Sequence, residues 1–203
     1  MKKYAVLHEP GDIVTLAGTR FVVLDVERRG SLPDSLFLLA LESVGASEFG
    51  SSNNYAESDL KKAVDKWLED MGKRGLDNAK LIPREIDLTT LDGSGCYGKL
   101  SVKAAPLTLD EAREYADIIP NAERWCWLAT GWSGPSKSDG DLALYVGSYG
   151  DWRSNYCSAS YGIRPALKIP SDLLLDSADK PDLSEVPTDT LLEEIRRRVV
   201  DKA

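Results

Sequence analysis

The chain has 203 residues, 42% of them hydrophobic and 29% charged, with 25 basic against 33 acidic side chains and a net charge of −8. At about 100 to 200 residues per domain, this length gives one domain with a real core and room for an appendage. The acidic balance argues against a partner held through a phosphate backbone, so nucleic-acid binding is not expected, and no run approaches the roughly 18 consecutive apolar residues of a membrane span.

In chain order, the first forty residues read as strands. Tyr4 to Leu7, Ile13 to Leu16, Arg20 to Val26 and Leu36 to Leu41 are rich in Val, Leu and Phe and are separated by Gly11-Asp12, Gly18 and Gly30-Ser31. The opening apolar cluster is too short for the core of a signal peptide, which predicts a cytoplasmic protein. From Ser58 the period changes. Leu60, Val64, Trp67, Leu68 and Met71 fall at helical spacing behind an N-cap serine, and Gly72 and Gly75 end the helix. Thr108-x-x-Glu111 is a capping box that predicts a second, short helix to about Ala116. Trp125 to Thr130, Leu142 to Val146 and Ile163 to Ile169 read as further strands. The predicted class is α+β.

After Pro170 the composition turns acidic. Ser171 to Asp189 holds six acids and one base and reads as a linker, and 190–203 reads as an amphipathic helix with Leu191, Leu192, Ile195 and Val199 on one face. The expected organisation is a ligand-binding domain over 1–170, a linker over 171–189 and a C-terminal helix that docks on the body or on a partner, or builds an oligomer. Three cysteines, Cys96, Cys126 and Cys157, cannot all pair within the chain and lack C-x-x-C spacing, so they read as buried small hydrophobes in a reducing compartment.

Half of the sixteen aromatic residues fall between Trp125 and Tyr161. Gly147 to Tyr161 draws ten of its fifteen residues from Tyr, Ser, Gly and Asn and contains no Leu, Ile or Val. Rigid amphipathic rings among small hydrogen-bonding residues are the make-up of a contact surface. The expected ligand-binding residues are Trp132, Tyr145, Tyr149, Asp151, Trp152, Arg153, Asn155, Tyr156, Ser158 and Ser160, whereas Trp125 and Trp127, at the start of an apolar strand, read as inward-facing.

Four stretches resemble an uncharacterised bacterial and phage family: Asn53-Asn54-Tyr55-Ala56-Glu57-Ser58, Leu107-Thr108-Leu109-Asp110-Glu111-Ala112, Trp127-Leu128-Ala129-Thr130 and Gly162-Ile163-Arg164-Pro165-Ala166-Leu167. The family's usual Arg is Ala129 here. The resemblance implies a C-type-lectin-like fold with mixed short strands, two helices and long irregular loops, related to sulfatase-modifying-factor domains and to the variable proteins of diversity-generating retroelements. It also admits a phage-associated location. Adenine-directed mutagenesis in such proteins enriches Asn, Tyr, Ser, Asp and Gly, the composition of Gly147 to Tyr161.

Enzyme chemistry finds little footing. His8 is the single histidine, which excludes His triads and two-His metal sites within one chain. A cysteine-bound copper like that of the sulfatase-modifying relatives would fall to Cys126 and Cys157, without the rest of that site. Calcium-lectin motifs are missing, Gly93 to Gly98 reads as a loop rather than a nucleotide cradle, and no metal or cofactor is expected. Arg164 reads as half of a structural ion pair rather than an anion clamp. The leading expectation is a non-enzymatic module that binds protein or carbohydrate; the alternative is an assembly component of a phage particle or surface complex.

Overall fold

In the computed structural model, the described residues are 2–4, 8–29 and 32–177. The chain forms strands β1 (Lys2–Tyr4), β2 (Ile13–Leu16), β3 (Thr19–Arg29), β4 (Leu32–Ala40) and β5 (Ala46–Glu48), a 3-10 turn at Tyr55–Glu57 and helix α1 (Asp59–Lys73). A hairpin of β6 (Arg84–Asp87) and β7 (Lys99–Val102), the short β8 (Ala104–Ala105) and helix α2 (Leu109–Glu114) follow. Then come β9 (Cys126–Gly131), β10 (Leu142–Val146), β11 (Trp152–Tyr156), β12 (Ser160–Gly162), β13 (Ala166–Pro170) and β14 (Leu174–Ser177). The class is mixed α+β, mostly sheet with two helices among the described residues.

Two unbroken apolar runs organise the packing. Phe21 to Leu24 in β3 and Leu36 to Ala40 in β4 lack polar alternation, the pattern of strands covered on both faces. Phe21, Val23, Leu36 and Leu38 pack with Leu60, Val64 and Met71 of α1, while Val22, Leu24, Phe37 and Leu39 pack with Leu109 and Ala112 of α2. The helices therefore cover opposite sides of the β3–β4 pair. These strands lie in a seven-stranded antiparallel sheet of order β1-β14-β2-β3-β4-β13-β8. A second sheet has the order β11-β10-β9-β12-β5, with β12 and β9 its parallel pair.

Local chemistry sets the helix starts. The Ser58 hydroxyl accepts from the Lys61 amide at 2.9 Å, and the Thr108–Glu111 box closes in both directions, at 3.2 and 2.8 Å. The aromatic-bearing sheet is tied to the loop before α1 by Asn53. This buried side chain donates to the carbonyls of Ser133 (2.9 Å) and Leu142 (3.0 Å) and accepts from the Tyr97 hydroxyl at 2.6 Å.

Three expectations change. Ser171 to Ser177 is not all linker, because β14 slots between β1 and β2 and Leu173 packs on the core; backbone pairing at an open sheet position outweighs the acidic composition. Arg164 forms no ion pair among the described residues. Its Nε donates to the Ala40 carbonyl at 2.7 Å and its Nη1 to the Pro120 carbonyl at 2.9 Å, so it ties backbone to backbone. Cys126 and Cys157 are buried as expected, but Cys96 is exposed. The expected C-terminal helix, the linker beyond Ser177 and the strand residues 5–7 lie outside the described residues.

Candidate functional site

Gly147 to Tyr161 is built around an edge strand. β11 pairs only with β10 within its sheet, and the register sets Tyr145 opposite Arg153 and Val146 opposite Trp152. Directly opposite residues share a face and successive residues alternate, so the segment serves two faces. Arg153 and Asn155 lie on the face of Tyr145, which is also opposite Trp127. Trp152, Ser154 and Tyr156 lie on the other, with Val146. The expected binding residues do not converge on one patch.

On the first face, aromatic rings run from the core to the surface. Phe49 meets Trp127 edge-on at 5.5 Å between centroids, Trp127 meets Tyr161 at 4.6 Å, and Tyr161 meets Tyr145 at 4.6 Å. Trp125 caps the series, stacked on Tyr145 at 5.5 Å with 26° between planes. Trp127, 1% exposed, donates its indole N–H to the Ser47 carbonyl at 3.0 Å, whereas Trp125 is 46% exposed. The fixed inner rings hold the outer one in place, which lowers the entropy lost when a ligand binds it. Asn155 donates to the Tyr161 hydroxyl at 2.5 Å, joining β11 to the series. Burial pushes the Tyr145 hydroxyl above its ordinary pKa, with the neighbouring Tyr161 as the second cause, so it stays neutral and a hydrogen-bonding group at physiological pH.

Trp125 and Tyr161 line an open groove of about 440 Å³ with Arg124, Glu123, Ser148 and Ser160. A ring wall with both charge signs and hydroxyls at its rim suits a polar ligand that also presents an apolar face.

The ten expected residues divide as follows. Tyr149, 89% exposed, sits at the tip of the β10–β11 turn, where Gly147 and Asp151 bond through their backbones at 2.7 Å. Asp151 and Arg153 form an ion pair at the surface, and Trp152, Tyr156, Ser158 and Ser160 are exposed. Asn155 is half-buried. Trp132 is half-buried against the α2-side core. Tyr145 is inside: at 5% exposure it supports the site instead of forming its surface, because its position on β10 faces Trp127. The opposite correction applies to Trp125, which sequence reasoning turned inward. It precedes β9 and shares the parity of Trp127, so a two-residue step outward along that face would have located it.

Comparison of the chain with protein-family models, with curated proteins and with solved structures returns no match.

Proposed function

We propose that the chain is a non-enzymatic ligand-binding module whose ligand is a protein epitope or a carbohydrate, held at the Trp125–Tyr161 groove and the adjoining outer surface of β11. The observation that carries this reading is the exposure of the segment: of the fifteen residues from Gly147 to Tyr161, only Gly147 and Cys157 are buried. Among the described residues, four of the five exposed large hydrophobic side chains, Trp125, Tyr149, Trp152 and Tyr156, fall within 32 positions of sequence, with Leu91 the fifth. Exposed rings with a polar surround are the composition of energetic centres in recognition surfaces.

We also propose that the fold is C-type-lectin-like and that this segment is diversified. Support for the first comes from mixed sheets with two helices and from Gly-Ile-Arg-Pro-Ala-Leu leading into β13. Support for the second is that a stretch rich in Tyr, Ser, Gly and Asn stands on a rigid base and contributes only two buried residues.

Tryptophan fluorescence titration of the full chain against panels of saccharides and of short peptides tests the binding reading. At least one panel member should bind saturably, and Trp125→Ala should weaken it by about 2 kcal/mol, roughly thirtyfold, with little change in Tm. Saturable binding that Trp125→Ala leaves untouched, or no saturable binding in either panel, contradicts the groove.

A further inference from the structure

The side of the second sheet facing away from the groove carries a different feature. A cavity of about 100 Å³ lies between α2, the chain that follows it, and β9, β10 and β11. Its floor includes buried Leu107, Leu128 and Arg164, and its rim includes exposed Ala116 and Trp152. The volume exceeds several-fold the ~10–15 Å³ that admits one water, which leaves room for a small ring or a short aliphatic chain.

Arg164 is the unusual wall. Its residue exposure is 6%, and it has no ionic partner among the described residues. Two of its three guanidinium nitrogens are committed to the carbonyls of Ala40 and Pro120, but Nη2 is buried with no hydrogen-bond partner. Glu42, an acid whose charge reaches it, is held by Arg20. Burial lowers the Arg164 pKa from its ordinary value, yet guanidinium starts high enough to remain charged at neutral pH. A buried cation without a counter-ion is costly unless something completes it, and with Nε and Nη1 already committed, the unpartnered Nη2 leaves a charge-assisted hydrogen bond to offer an anion such as a carboxylate.

We propose that this cavity is a second binding site, separate from the groove, for a small monocarboxylate with an apolar body, its carboxylate on Arg164 and its body against Leu107 and Leu128. Arg113, whose guanidinium lies 5.4 Å from the centre of the Trp152 ring, steadies the rim. Because Trp152 belongs to the outward segment, occupancy of this cavity and sequence change in that segment meet at one side chain.

The test is calorimetric titration of the full chain with benzoate and hexanoate, against benzamide and hexanamide as neutral isosteres. Each acid is expected to bind one-to-one below about 10 mM, at least about tenfold more tightly than its amide. Arg164→Gln is expected to abolish the difference. Since that variant also breaks two backbone ties and could fail to fold, Ala116→Trp provides the second arm. It fills the rim without touching the guanidinium and should block the acids, whereas Trp125→Ala, in the groove, should leave them unaffected. The proposal is overturned by absence of acid binding up to that concentration, by equal affinity for acids and amides, or by acid binding that survives Ala116→Trp.

Discussion

Tyr145 and Trp125 show how little residue type alone decides. Both are aromatic, they stack on one another, and one is 5% and the other 46% exposed. What separates them is depth along one face of the sheet, a quantity that composition does not contain. The cysteines also divide by where the fold places them. Burial pushes the Cys126 thiol up to about 11 and the Cys157 thiol up to about 12, while Cys96 stands exposed on the β6–β7 loop. The thiolate is the reactive form, and a raised pKa keeps it scarce until the pH climbs towards that value. At pH 8, a thiol-specific chromogenic reagent should therefore titrate one cysteine quickly in the native protein and all three after denaturation. Cys96→Ser should remove the fast phase, and three fast equivalents in the native state would refute the burial of the other two.

Among the elements, those whose signal is local were legible in the sequence. β2 and β10 were bounded as expected, α1 began at its serine cap, and α2 began at a capping box that closes in space. β5, β8 and β12 were not legible, because strands of two or three residues owe their existence to partners elsewhere in the chain. The β6–β7 hairpin was missed because its long loop carries Gly and Ser without a tight two-residue turn. The outward character of Gly147 to Tyr161 could be read from composition, but its division between two faces could not, since parity is defined only once β11 is paired. Asn53 was recognisable as scaffold but its reach was not. It joins the loop before α1 to the chain flanking β10, and Gly131 leaves it the space, a Cβ there falling 2.9 Å from its Cγ. Asn53→Ala would strand the Ser133 carbonyl and the Tyr97 hydroxyl, while the Leu142 carbonyl keeps the Trp132 amide at 2.9 Å. Chemical denaturation should show a loss of about 2–3 kcal/mol; a loss under about 0.5 kcal/mol would mean that the tie is dispensable.

For the whole molecule, the division is between a base buried from two sides and an exposed rim that bears rings and small polar side chains. The β3–β4 pair is covered by α1 on one face and α2 on the other, and the ring series from Phe49 to Trp125 carries that rigidity to the surface. Binding energy at such a rim is not spent on ordering the scaffold, which is why a surface of rings and small polar groups can change without unfolding what holds it. On that view, stability and recognition belong to different residues within a few positions of each other in sequence.

Thermal denaturation of the full chain separates the two most directly. In one variant Tyr149, Trp152, Arg153 and Tyr156 are all replaced by alanine, and in the other only Tyr145 is. The fourfold change should lower Tm by less than about 4 °C, and the single buried change by roughly 6–12 °C, the equivalent of about 3 kcal/mol in a chain of this size. A fourfold variant that melts as early as Tyr145→Ala would place those outer side chains in the core and contradict the display surface.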